Sequence, residues 1–549
     1  MILKNRLTLF YFIFYFVKKL IKFYIKIKDQ STYQNLDSIE KKFEKLIKDN
    51  NKNKKKNKKI VLICLNNFEL YFLVIWIYLC IKLYKSSFDI LVVTDRNNIH
   101  INKLVFSLKI KIVYVEDILK TKSNLSKKTI LIFSKIKKSN NFKEFSQLKY
   151  DGFEVGKMVI SNFCRIHKVG FVNFESKIQN FLIKKTAKDF IVNYEKVKSN
   201  KLWLNSKMMF TFEKNLSYYL HFFLASIQKQ TEVIHWSGSN LDEKTFILRK
   251  YNRKNIYLHH SSLEKKNWKN IKRKKLINKD KFLIKKTFND RYSGKLAPFS
   301  VNLIECGKLG NNKKLKISKK NKKLNCIIFS HILHDTLYFF GDEIYSSYAH
   351  WLLRTTELAC KNPKINWYIK FHPSNIYRNE FKKGKSKEED LIRQHIKKIP
   401  KHVKFIYPDT KINPLEWMNF ADFGVTIRGT AGLEMSVLGK PVITCGSNRY
   451  EKKGFTLDPK NKSDYEDRIS KLPKFVESRE PNFQILAEKF YHSIFFKKAF
   501  QCDFVSTKLN SEKFSWNEIK FDISKKLDKS KSVVKFNKFI LSKNEEFLN

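Results

Sequence analysis

A chain of 549 residues with 43% hydrophobic and 15% aromatic residues is too apolar to be disordered and long enough to build more than one α/β domain. Its net charge of +59 comes almost wholly from lysine and travels with heavy use of Asn, Ile, Phe and Tyr, the signature of an AT-rich coding sequence. No zinc-finger or RNP element accompanies that charge, so a nucleic-acid module is set aside in favour of solvated lysines, some of them within a Debye length (about 10 Å) of an anionic leaflet.

In chain order, Lys4 and Arg6 precede the apolar run 7–17, after which Lys18, Lys19, Lys22, Lys26 and Lys28 interleave with Leu20, Ile21, Phe23, Tyr24 and Ile25. The run is shorter than the roughly 20 apolar residues a span requires, and no small-residue cleavage site follows. An N-terminal amphipathic helix lying in a membrane interface is expected, the alternative being a helix packed on the protein's own surface. The run of Asn and Lys at 51–57 reads as a linker closing this segment. Lys59 to Leu65 then reads as a buried strand, Phe68 to Tyr84 as a crossover helix despite its span-like apolarity, and Phe88 to Asp95 as the next strand. Further strands are expected at 110–115 and 129–133. A Rossmann-like domain over 58–307 follows from this alternation, and the Lys-rich stretch 308–323 is its linker to a second one. The eight cysteines, at 64, 80, 164, 306, 326, 360, 445 and 502, include no Cys-x-x-Cys pair, which fits a reducing cytoplasm and gives no zinc spacing.

The second half carries the chemistry. Leu324 to Ser330 is expected to be its first strand, and His331, His334 and Asp335 fall on the loop just beyond it, where open sheets project functional groups. They are the acid/base candidates: a histidine moves protons near neutral pH, and an aspartate beside it orients it or accepts from an acceptor hydroxyl. The alternative is that they cap the next helix. Asn366 to Phe371 reads as a strand ending at His372-Pro373, and Asp422 to Thr426 as another, leading through Arg428-Gly429-Thr430-Ala431-Gly432 into a helix with Glu434 one turn in. Strand, glycine turn and helix make an anion site: free N–H groups and the helix dipole favour a phosphate, with Glu434 placed for ribose hydroxyls. Lys370 and Arg428 flank it as counter-charges for a leaving phosphate. Pro441 to Gly446 supplies the next parallel strand. Cys445 beside this pocket reads as a buried, inert thiol. No Asp-x-Asp is placed to recruit a metal, so metal-independent transfer without a cofactor is expected.

These residues carry a resemblance. Region 325–457, including Phe329-Ser330-His331-Ile332-Leu333-His334-Asp335 and Trp351-Leu352-Leu353, resembles the C-terminal half of the bacterial capsule polysaccharide biosynthesis proteins, which include Kdo transferases of the GT-B fold. In those relatives the His-Pro pair and the Gly-Thr/Ser-x-Gly-x-Glu helix start bind the donor nucleotide, and a Gly-x-x-x-Tyr-x-x-x-Gly-Phe element follows, here Gly446 to Phe455 with Tyr450 at its centre. A weaker echo of an N-terminal element runs from Tyr150-Asp151-Gly152 to Lys157, followed by Arg165. The resemblance implies a GT-B-like α/β architecture of two Rossmann-like parallel-sheet domains facing a cleft, the second over 324–480; the aromatic and basic texture of 481–549 suggests a helical segment returning across the halves or a second membrane contact. It also implies a glycosyltransferase peripheral on the inner face of the plasma membrane, moving a sugar such as Kdo from its CMP donor to a lipid-linked or glycan acceptor in capsule polysaccharide biosynthesis. The rival readings are a CDP-glycerol-type polyol-phosphate transferase and an inactive GT-B-like scaffold in polysaccharide assembly or transport.

Overall fold

The computed structural model of the protein describes residues 58–66, 70–83, 88–121, 126–239, 241–242, 244–293, 315, 323–341, 343–376, 378–382, 384–474, 482–510, 515–521 and 530–549. The expected N-terminal helix and nearly all of the 308–323 linker lie outside these residues.

Two parallel sheets organise the chain. The first contains β1 (Lys58–Ile63), β2 (Phe88–Thr94), β3 (Lys111–Tyr114), β4 (Ser206–Thr211), β5 (Glu232–Gly238) and β6 (Thr245–Tyr251). Its order from the far edge is β3-β2-β1-β4-β5, all parallel, and β6 then turns antiparallel. The second contains β7 (Asn325–Phe329), β8 (Asn366–Lys370), β11 (Val403–Ile406), β12 (Phe423–Thr426) and β13 (Val442–Thr444) in the order β11-β8-β7-β12-β13, all parallel. Short β9 (Phe381–Lys382) and β10 (Lys385–Ser386) pair with each other beside it. Both sheets reverse direction of winding beside their first strand, the point at which doubly wound sheets open a crevice at their carboxyl ends. Ile60 to Ile63 and Cys326 to Ile328 are nearly inaccessible, as strands covered on both faces require.

The span-like helix Leu70–Lys82 is buried on every side that the structure describes, from Phe72 to Ile81. Trp76 packs on Trp236 of the sheet at 5.4 Å and on Phe536 of the C-terminal helix Lys531–Leu541 at 6.2 Å. An all-round apolar helix is here a helix with protein on both sides, not lipid. No described helix is long and apolar enough to cross a membrane.

Three expectations differ from what is observed. Residues 129–133 form no strand but lie in the helix Lys127–Lys138, capped by the Ser126 hydroxyl, which accepts from the Thr129 amide at 3.2 Å. Thr129, Ile132 and Ile136 point inward while Ile130 and Leu131 point out, so the period is that of a helix once the flanking lysines are included. The helices Lys265–Arg273 and Asn278–Tyr292, expected within the first domain, pack on the second: Trp268, Ile284 and Phe288 share a core with Ile327, Tyr368 and Leu433. Residues 481–549 are not only helical. They begin with the helix Phe483–His492, then add β14 (Ala499–Gln501), antiparallel to β6, and the hairpin β15 (Val505–Asn510) with β16 (Ser515–Phe521).

The last residues complete the first sheet. Lys250 N donates to Glu545 O at 2.6 Å and Phe547 N to Leu248 O at 3.2 Å. Between them Glu546, fully buried, receives Arg249 Nη2 at 2.9 Å and Lys498 Nζ at 2.5 Å on one oxygen, and the Glu264 amide at 2.9 Å and Asn267 Nδ2 at 2.7 Å on the other. One carboxylate thereby joins β6, the segment before β14, and the start of the helices that cross to the second sheet. Glu546→Ala strands two buried cations and is expected to cost about 3–5 kcal/mol, read as a lowered denaturant midpoint; Glu546→Gln should fall between it and the native chain.

Candidate functional site

The carboxyl edge of the second sheet gathers three loops. Beyond β7 comes Ser330-His331, beyond β8 Phe371-His372-Pro373, and beyond β12 Ile427-Arg428-Gly429, the first and last flanking the reversal between β7 and β12. Pro373 opens a single 3-10 turn, and the Ser374 amide donates to His372 Nδ1 at 3.2 Å. That acceptor role leaves the proton of the neutral ring on Nε2, so His372 is a hydrogen-bond donor. Burial first, then His331, holds its imidazole down to about 3, against the pull of Asp335. His331 stands 6.2 Å away between ring centres, packs on Tyr348 at 4.7 Å, and is likewise brought down to about 4 by burial, partly opposed by Asp335.

Gly429 precedes the helix Thr430–Val437. A Cβ on Gly432 would meet Tyr450 Oη at 2.3 Å and Thr426 Cγ2 at 2.9 Å, so only glycine lets this turn seat. Tyr450, fully buried, donates to the Gly429 carbonyl at 2.7 Å; it shapes the turn from behind, and its hydroxyl is spent there. Thr430 and Ala431 are half-buried at the helix start. Arg428 is 6% exposed and pairs through Nη2 with Glu343. Among the described residues its Nε and Nη1 have no hydrogen-bond partner, although they are buried. A guanidinium with two unused donors beside a helix N-terminus suits an oxyanion. Its ring neighbours are Tyr348 and Phe340, at 5.2 and 5.5 Å. Lys370 is buried on the same edge, and its charge opposes protonation of His372.

Three expected members serve elsewhere. His334 is 3% exposed, and its Nε2 lies 2.6 Å from Glu380 Oε1, so it braces the loop rather than facing the crevice. Asp335 pairs at 3.3 Å with Arg165 of the first unit; burial works against its charge, yet Arg165 and then His331 outweigh that and keep it below the usual carboxylate range. Glu434, expected at a ribose, is 2% exposed and takes Arg291 Nε at 2.7 Å. The reason is the misplaced pair of helices: Arg291 ends the second of them and arrives against the glycine helix from outside.

Other members escaped the sequence reading. Glu388 is buried and accepts from Asn375 Nδ2 at 2.6 Å, Ser386 Oγ at 2.6 Å and Ser330 Oγ at 3.1 Å, tying the loop after β7 to the His372 turn. Arg378 acts electrostatically on His331, His372 and Asp335, and Arg449 on His259 and His260. Those two histidines come from the loop held by Glu546; His259 packs on Phe340 at 4.5 Å. One signal was available: the chain has only 14 arginines among 110 basic residues, and Arg165, Arg378, Arg428 and Arg449 all bear on this crevice while Arg291 stands behind its glycine helix.

Across it, the carboxyl edge of the first sheet holds a cavity of about 290 Å³ lined by Asn66, Asp95, Asn162, Arg165 and Tyr219. Tyr219 Oη accepts from Asn66 Nδ2 at 2.8 Å and from the Leu65 amide at 3.2 Å. The Tyr150-Asp151 element instead builds a corner, where Asp151 accepts from Tyr194 Oη and Lys198 Nζ, each at 2.9 Å.

The architecture is a GT-B-like α/β fold, two doubly wound parallel sheets meeting at their carboxyl edges. No family model and no curated protein matches the sequence. Among solved structures, the chain is similar to Thermosulfurimonas dismutans KpsC, beta Kdo 2,4 transferase, at 12% identity over 58% of this chain and 86% of that one, with a TM-score of 0.29. It is similar to UDP-GlcNAc 2-epimerase from Neisseria meningitidis at 11% identity, over 80% of this chain and 96% of that one, TM-score 0.25.

Two outcomes are expected. Glu434→Ala leaves Arg291 buried and unpaired and lowers stability by about 3 kcal/mol or more, so loss of ligand binding in that variant has to be read beside its denaturant midpoint. His221, His235, His331 and His372 are all held down to about 3–4 by burial. Their unfolded forms take up protons near 6.5, so stability is full above that pH and falls as pH drops from about 6.5 towards 4; unfolding midpoints measured at pH 7.5 and 5.0 check this.

Proposed function

We propose that the protein is a glycosyltransferase that binds a nucleotide sugar at the carboxyl edge of its second sheet. The observation that carries this is Arg428, buried with two unused donors beside the Gly429–Gly432 helix start and the Nε2 donor of His372. In this reading the glycine-turn amides, Arg428 and His372 hold the donor phosphates and stabilise the charge that grows on the leaving group. The cavity by Asp95 and Arg165 supplies room for the acceptor. His331, half-buried and neutral at physiological pH, is the group best placed among the three acid/base candidates to take a proton from an acceptor hydroxyl. Donor and acceptor are assigned by resemblance: Kdo from a CMP donor, onto a lipid-linked or glycan precursor of a surface polysaccharide, at the inner face of the plasma membrane.

Calorimetric titration with CMP, CDP, UDP and GDP tests the reading. One nucleotide is expected to bind in the micromolar range, and His372→Ala to weaken it by about 10- to 100-fold, the value of a hydrogen bond to a charged group. Selective CMP binding supports the Kdo donor, and CDP binding redirects it to a polyol phosphate. Absence of binding by the folded protein removes the transferase reading and leaves the scaffold.

A further inference from the structure

The helices Lys265–Arg273 and Asn278–Tyr292 form a hairpin on the outside of the second unit, and its surface is far more basic than the chain average. Eleven of the 22 residues 265–286 are Lys or Arg and only Asp280 is acidic, whereas the whole chain has 110 basic residues in 549. Every one of those eleven is exposed. At the bend between the helices Ile277 is 61% exposed and Phe282 is 65% exposed. Their apolar side chains stand among Lys274, Lys275, Lys279 and Lys281.

Among the described residues the acids nearby are too few to cancel this charge. Asp280 faces His492 Nε2 at 3.2 Å, the Glu264 carboxyl lies within the fields of Arg249, Lys498 and Glu546, and Glu488 on the adjoining helix interacts with Lys281 and Gln484. The segments 1–57 and 294–322 are themselves net basic and do not complement the face. The hairpin is rigidly mounted: Trp268 packs on Phe490 at 5.7 Å, Phe288 on Tyr491 at 5.0 Å, and Lys489 Nζ donates to the Lys272 carbonyl at 2.7 Å.

We propose that this hairpin docks the protein on an anionic lipid surface, with its lysines over the headgroups and Ile277 and Phe282 inserted at the level of the acyl boundary. Lysine clusters within a Debye length of a negative leaflet are drawn to it, and apolar residues at the centre of such a cluster add buried area that a purely electrostatic partner does not reward. Arg273 is the only arginine of the eleven, and the face is a convex helical bend, neither of which suits a phosphate-tracking groove with stacking aromatics. Arg291, at the end of the same helix, holds Glu434, so docking would set the glycine turn at a fixed height above the surface. The inference rests on this surface alone and stands whether or not the protein is a transferase.

The test is sedimentation of the full chain with vesicles of phosphatidylcholine containing 30 mol% phosphatidylglycerol, against vesicles of phosphatidylcholine alone. The native protein should partition to the anionic vesicles only, and less so as salt rises. Reversal of Lys274, Lys275, Lys279 and Lys281 to Glu should weaken partitioning by on the order of tenfold or more. The pair Ile277→Ser and Phe282→Ser should weaken it several-fold at unchanged charge; all these side chains are exposed, so folding, followed by circular dichroism, should be unaffected. Equal partitioning of native and variant proteins would overturn the proposal and move any membrane contact to another part of the chain. So would tighter binding of single-stranded RNA than of vesicles at the same salt, with the Ser variants indistinguishable from the native protein.

Discussion

The carboxylate of Glu546 is the contact on which the arrangement of the two units turns. It lies three residues from the last residue of the sequence, yet it is buried between Arg249 of β6 and Lys498 just before β14, and it accepts the Glu264 amide at the start of the helices that pass to the second unit. An isolated buried carboxylate is costly, and here two cations and two neutral donors surround it. The loop 252–264, anchored at Ser262 by Lys498 Nζ at 2.9 Å and by Arg249, consequently carries His259 and His260 against Phe340 and Arg449. Closure of the first sheet, the crossing of the helices and one wall of the crevice therefore share an origin.

The crevice itself is an accumulation of positive charge with few carboxylates to match. Arg428, Lys370, Arg378 and Arg449 bear on histidines that burial and these charges keep neutral. Such a site is held together by neighbouring structure: Glu388 fixes the two loops from behind, Tyr450 supports the glycine turn, and Glu343 pairs with only one nitrogen of Arg428. The carboxylates that do lie close, Asp335 and Glu434, are each answered by an arginine from a different element. The polar groups that shape the crevice are thus distinct from those left with capacity to bind.

Much of this was legible in the order of residues. Continuous β-branched runs mark strands buried on both faces, and a proline or glycine directly after such a run marks a turn at the carboxyl edge, which is why His372 and Gly429 were placed correctly relative to β8 and β12. The strand expected at 129–133 failed because a threonine and four apolar residues do not distinguish a helix face from a strand; the Ser126 cap and the inward Ile136 decide it. Glu434 and His334 are engaged by neighbours for a different reason. Their partners, Arg291 and Glu380, lie 143 and 46 residues away, and no local pattern tells whether a charged side chain will face a ligand or a neighbour.

The sequence by itself determined the two alternating α/β stretches, the carboxyl-edge motifs and the lysine surface, because each depends on periodicity, turn chemistry or composition within a few residues. Tertiary structure alone decided which domain the helices at 265–292 serve, that the Leu70–Lys82 helix is covered by Lys531–Leu541, and that the C-terminal residues clamp the first sheet. Those outcomes rest on burial and on charge pairing between distant elements, and the free energy of a buried charge or apolar face is set by what finally covers it.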